Sequence, residues 1–157
     1  MQEALKIWVD RLVDGKVQKI NAVCDPSFLE MNEKELQFHT PVQMSGEAYL
    51  ADKDLVIHLV IRTKVAMPCS ICNEMIDSDL KVENFYHTEE LSLITDAVFD
   101  FSAPLREALL LEIPTHFECS GGKCPARASI EPFLRSSTKQ KGDSSHFPFA
   151  DLKNLEN

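Results

Sequence analysis

Leu5, Ile7 and Val9 alternate with Lys6, Trp8 and Asp10, which predicts a short strand near the start of the chain. Asp14-Gly15 is a turn signal, and Asp25-Pro26-Ser27-Phe28-Leu29 reads as a cap followed by proline in a first helical turn. A short helix is therefore predicted near 26–35. Met44, Gly46, Ala48 and Leu50 alternate with polar neighbours as far as a tight turn at Asp52-Lys53-Asp54. Leu55 to Ala66 then runs rich in Leu, Val and Ile with the period of a strand, so the two runs predict a hairpin. Pro68 stops the second run. Ile76, Ser78, Leu80, Val82 and Asn84 share one face of a third long strand, and Glu89-Glu90 and Asp96 mark a loop after it.

The clearest helical pattern follows. Ser102-Ala103-Pro104 reads as cap and first turn, Leu105, Ala108, Leu109 and Glu112 lie along the helix, and Ile113-Pro114 closes it. Residues 135–146 are polar and are expected to be disordered. These elements predict an α+β fold: a curved antiparallel β-sheet with one main packed helix, about 102–113, and a cysteine knuckle. Residues 1–134 form a single domain in this reading, and 135–157 a polar linker with an aromatic tail.

Composition narrows the class. A chain of 157 residues that is 44% hydrophobic can bury a real core and is too apolar for a disordered protein. Its formal net charge of −9 gives it no general attraction for nucleic acid, so any such contact needs a local basic patch or a basic partner protein. Met1-Gln2-Glu3-Ala4-Leu5-Lys6 has neither a basic leader nor a long apolar run, and the stretch from Leu55 to Ile61 is too short to span a bilayer. A cytoplasmic protein without membrane or DNA partners is expected.

Four of the five cysteines fall in two spaced pairs, Cys69-Ser70-Ile71-Cys72 and Cys119-Ser120-Gly121-Gly122-Lys123-Cys124. Thiolates two to four residues apart can wrap one tetrahedral ion, and two such loops complete a four-sulfur shell. A structural zinc ion held by Cys69, Cys72, Cys119 and Cys124 is the leading reading. Gly121-Gly122 supports it, because glycines tolerate positive φ and can turn backbone N–H groups toward sulfur. Unliganded cysteines and a redox or disulfide pair are the alternatives. The redox one lacks the helix that a thioredoxin-like CxxC opens, since the residues after Cys72 read as strand. Cys24 fits neither pair and reads as a small buried apolar residue. His116 is a minor candidate ligand, His58 a packed or edge histidine, and His39, His87 and His146 surface residues.

No phosphate loop, dinucleotide fingerprint, nucleophile elbow or HExxH is present, and no carboxylate pair sits in a context for acid–base work. The chain reads as a non-enzyme. Beyond the polar linker, Phe147, Phe149, Leu152 and Leu155 are bulky apolar groups that gain nothing unless they dock. Phe149, Leu152 and Leu155 are spaced to share a helical face.

Three stretches, in this order, resemble the YceD-type proteins, the large ribosomal RNA subunit accumulation family. Cys69-Ser70-Ile71-Cys72 follows a long hydrophobic strand, like that family's Cys-x-x-Cys. Asp100-Phe101-Ser102-Ala103-Pro104-Leu105-Arg106-Glu107-Ala108-Leu109-Leu110-Leu111-Glu112-Ile113-Pro114 is similar to its acidic-leucine helix. Pro148-Phe149-Ala150-Asp151-Leu152-Lys153-Asn154-Leu155 resembles its terminal Pro-Phe-Ala-x-Leu-x-x-Leu. Many members carry Cys-x-Arg-Cys, whereas Ile71 replaces the arginine here, and the second cysteine pair varies among them. The resemblance implies a factor needed for synthesis, processing or stability of 23S rRNA in large-subunit assembly. Its partners would be large-subunit assembly components, such as a basic ribosomal protein, with 23S rRNA contacted directly or indirectly. Pro148, Phe149, Leu152 and Leu155 are the expected partner-docking residues. A zinc-stapled interaction adaptor and a thiol redox protein, both unrelated to ribosomes, are the rival readings.

Overall fold

The computed structural model describes residues 3–133, so the tail residues Pro148, Phe149, Leu152 and Leu155 lie outside the described residues. The described chain is α+β with antiparallel sheets. β1 (Lys6–Trp8) pairs with β6 (Val98–Asp100) in a small two-stranded ribbon. β2 (Val17–Cys24), β3 (Val42–Ala51), β4 (Asp54–Pro68) and β5 (Met75–Glu90) form a four-stranded meander in chain order. α1 (Ser102–Leu111) follows β6; beyond it lie a tight turn with left-handed residues at Cys119–Gly122 and a single helical turn at Arg127–Ile130.

Strand alternation builds the core. In β4, Leu55, Ile57, Leu59, Ile61, Val65 and Met67 point to one face and are buried, while His58, Arg62 and Lys64 point to the other and are exposed. Met44 and Ala48 of β3 sit opposite Ile61 and Ile57 and add to the buried face. α1 lays Leu105 and Leu109, both fully buried, into the same core beside Phe101. This face holds most of the core; on the other, Val56 and Ala66 are also buried, while His58, Arg62 and Lys64 are exposed. Gly46 lets the two central strands approach: a Cβ there would stand 2.1 Å from the His58 carbonyl oxygen and 2.9 Å from Leu59 Cα.

Several expectations are corrected. The helix near 26–35 is only a 3-10 turn, Pro26–Leu29. The Asp25 carboxylate caps it by accepting the Ser27 N–H at 2.9 Å, but Glu30 then turns left-handed (φ 49°) and ends it. The predicted cap of α1 also shifts. Ser102 is the first helical residue, and the Asp100 carboxylate accepts its N–H at 2.9 Å. β5 does not stop before Glu89-Glu90 but runs through both.

The third strand does not keep one face either. Leu59 pairs with Phe85 and Ile61 with Val82, so β5 holds one extra residue opposite β4. This bulge turns Phe85 into the core and Asn84 outward, where its Oδ1 lies 2.8 Å from His58 Nε2. It also turns His87 inward, half-buried and stacked on Phe99 at 5.5 Å, rather than leaving it on the surface. His87 Nε2 lies 3.3 Å from Glu89 Oε2 but out of line for a hydrogen bond. β2 was not marked by periodicity at all, because Val17 and Val23 on its exposed side blur the alternation of buried Ile20 and Cys24. Cys24 is buried as expected, and burial pushes its thiol pKa up.

Candidate metal centre

The first cysteine pair occupies the tip of the β4–β5 hairpin. Pro68 ends β4, Cys69 N–H donates to the Glu74 carbonyl at 2.9 Å, and Asn73 N–H donates to the Cys69 carbonyl at 2.9 Å. Asn73 takes a left-handed conformation (φ 60°), which closes the knuckle. The second pair lies on the segment after α1. Its turn also needs left-handed backbone, at Ser120 (φ 56°), Gly121 (φ 63°) and Gly122 (φ 89°). The two glycines adopt such angles without a Cβ penalty.

Backbone hydrogen bonds join the two loops. Ser70 N–H donates to the Phe117 carbonyl at 2.7 Å, and Phe117 N–H donates to Ser70 Oγ at 3.2 Å. The four sulfurs of Cys69, Cys72, Cys119 and Cys124 consequently lie within 4.8 Å of one another, with Cys72 and Cys119 3.9 Å apart. A tetrahedral zinc site with bonds of about 2.3 Å has sulfur–sulfur edges of about 3.8 Å. The donor set therefore fits a tetrahedral thiophilic ion such as zinc, after small adjustments. His116 is exposed and is not one of the clustered groups.

The surroundings favour thiolate at Cys69. Cys69 Sγ accepts N–H groups from Ile71 and Cys119, each at 3.4 Å. Hydrogen bonds from the backbone of Cys119, Cys72 and Ile71 hold its pKa down to about 6. Cys119 is pushed up to about 12, first by its hydrogen bond with Cys124, then by burial and by the Cys69 and Cys72 thiols. Cys72 is raised as well: a backbone hydrogen bond from Glu74 lowers it, but burial and the thiols of Cys69 and Cys124 outweigh that. A metal-free cluster thus places its first negative charge on Cys69 and resists further ionisation. A divalent cation removes that resistance.

One important residue was not marked by spacing. Glu118 Oε1 accepts the Cys124 N–H and the Arg127 Nε–H, both at 2.9 Å, and Oε2 pairs with Arg127 Nη2. These bonds, from Arg127 first and Cys124 second, hold the Glu118 pKa down to about 2. A Glu directly before the first cysteine of the pair and an Arg three residues after the second were the available signals.

The cluster is separate from the main core. Beyond α1, Cys119 and Cys124 are the only buried residues among those described, and they pack with Cys69, Ile71, Cys72, Ile76 and Ala126. No helix among the described residues is long and apolar enough to cross a membrane. No family model, curated protein or solved structure matches the chain.

Proposed function

We propose that the protein is a non-enzymatic ribosome-assembly factor, needed for 23S rRNA to accumulate, whose four cysteines hold a structural zinc ion. The metal part rests on one observation: four sulfurs converge within 4.8 Å, three of the cysteines being buried. Four thiolates fill a tetrahedral shell and leave no position for substrate or water, which suits a staple rather than a catalyst. The ribosomal part rests on the order of three stretches, the Cys69–Cys72 knuckle, residues 100–114 and residues 148–155. In this reading the protein works in the cytoplasm with large-subunit assembly components, and Pro148, Phe149, Leu152 and Leu155 dock onto one of them. The sheet curves strongly around α1 as the one main helix. The bulge opposite Val60 supports this, since an extra residue bends the strand that carries it.

The test is the ratio of 23S to 16S rRNA in cells depleted of the protein. A selective fall in 23S, restored by the intact gene, is expected. An unchanged ratio under verified depletion overturns the ribosomal reading. The redox rival gains from the lowered pKa of Cys69, but that thiol is fully buried at a hairpin tip. Alkylation against pH separates the two: rapid labelling of Cys69 or Cys72 in metal-loaded protein would favour redox chemistry. An adaptor unrelated to ribosomes would instead show in a pulldown dominated by non-ribosomal proteins.

A further inference from the structure

The outer face of the meander carries one pair of like charges placed directly across from each other. Arg62 of β4 lies directly opposite Lys81 of β5, and Lys64 follows on the same face opposite Asp79. Like charges facing each other across two strands repel, so this pair gains from a bound anion. Lys81 has Glu83 beside it and Lys64 has Asp79 at 3.7 Å, but Arg62 has no carboxylate within ion-pair distance among the described residues. Over the whole face four cations (Lys19, Arg62, Lys64, Lys81) stand against six carboxylates (Glu47, Asp54, Asp77, Asp79, Glu83, Glu90), so the cationic character is local to the facing Arg62 and Lys81.

Shape and chemistry agree with the charge. Two shallow depressions, of about 310 and 280 Å³, meet at Gln43 and Arg62, and Asn21 and Ser45 add hydrogen-bonding groups to the second. Four residues along β4 from Arg62, about 13 Å away at strand rise, His58 faces Tyr86, whose side chain is 60% exposed. The two rings meet edge to face at 6.2 Å, and Asn84 anchors His58. An exposed aromatic on the same sheet face as the paired cations, about 13 Å from them, can offer a base a stacking platform while the cations hold phosphates further along the strand. α1 packs Leu105 and Leu109 on the opposite face and borders Tyr86 only beside β5, and Arg62, Lys81 and Tyr86 are all exposed.

We infer that the outer sheet face binds a single-stranded RNA segment, with Arg62 and Lys81 holding backbone phosphates and Tyr86 stacking on a base. This rests on the ribosomal reading above, which supplies RNA as the strand. Charge favours this occupant over an acidic protein only if stacking contributes, and the test separates them.

The probe is a fluorescein-labelled single-stranded RNA of mixed sequence, about 12 nucleotides long, titrated with zinc-loaded full-length protein and read by anisotropy. Saturable binding is expected, weakening about tenfold between about 50 and 200 mM salt if two to three phosphates are held. R62E/K81E should weaken it at least tenfold and flatten the salt dependence. Tyr86→Ala should weaken it about fivefold or more with the salt slope unchanged. K16E/K53E makes the same charge change at exposed positions and should stay within about twofold, and circular dichroism checks that each variant is folded. No binding by the wild type, or equal losses in R62E/K81E and K16E/K53E, overturns the inference. So does binding indifferent to Tyr86→Ala, which marks a plain anion surface. If 23S falls on depletion while RNA binding is absent, the sheet-face inference fails and the ribosomal reading stands. Specific binding with an unchanged 23S ratio does the reverse.

Discussion

The Glu118 carboxylate accepts the backbone N–H of Cys124, six residues further along, at 2.9 Å while it pairs with Arg127. One side chain therefore ties the two ends of the second cysteine loop together through the backbone of its last cysteine. Groups that orient metal ligands in this way commonly account for about 10–100-fold in metal affinity. Glu118→Gln keeps the size but loses the charge and half of the fork, so zinc affinity should fall about tenfold or more in a chelator competition. Arg127→Ala should produce part of the same loss, and the double variant should fall short of the product, since both act through one contact.

Zinc should be present at one ion per chain in reduced, purified protein. Cys69→Ser should abolish it. Because the cysteine cluster stands apart from the main core, removing the metal should release residues near 69–74 and 117–127 without unfolding the sheet. Hydrogen exchange should rise steeply in those two segments and hardly at all in β3 and β4. Absence of stoichiometric metal together with unchanged melting of Cys69→Ser would refute the zinc assignment.

Acid should release the metal through the thiols and not through Glu118. Each ligand must shed its proton to bind, so affinity falls as pH falls below the ordinary thiol value of about 8.5. Glu118 has the opposite protection. Its pKa is lowered from 4.5 to about 2, so its contribution to stability is complete above about 4.5 and lost only as pH falls through about 2. Zinc release measured against pH should therefore be largely finished before Glu118 protonates. A release midpoint near pH 2 would contradict this order.

Gly46 should tolerate no side chain. The atoms a Cβ would meet are backbone, the His58 carbonyl oxygen at 2.1 Å and Leu59 Cα at 2.9 Å, and neither can move without opening the β3–β4 ladder. Gly46→Ala should cost about 2–3 kcal/mol or more in denaturant unfolding. Gly121→Ala is the contrast: nothing lies within 4 Å, so only its left-handed φ of 63° resists, at about 1 kcal/mol.

Deleting residues 147–157 should leave the thermal midpoint of the described domain within about 2 °C, yet fail to restore 23S rRNA in depleted cells. A shortened chain that restores 23S fully would remove Phe149, Leu152 and Leu155 from the functional reading.

Much of this molecule was legible from local pattern. The β3–β4 hairpin, the burial of Leu105 and Leu109 and the hairpin-tip position of Cys69 and Cys72 follow from period and breaker residues, which depend on neighbours a few positions away. The candidate ligand types were legible too, because thiol spacing is a local property. Three things were settled only by long-range pairing. The bulge opposite Val60 moved Asn84 outward and Phe85 inward, which no alternation within β5 could reveal, since it depends on the register against β4. Arg62 and Lys81 met because the same register aligned them. And the four sulfurs converged because β5, β6 and α1 carry the chain away from Cys72 and back to it, where hydrogen bonds between Ser70 and Phe117 join the two loops.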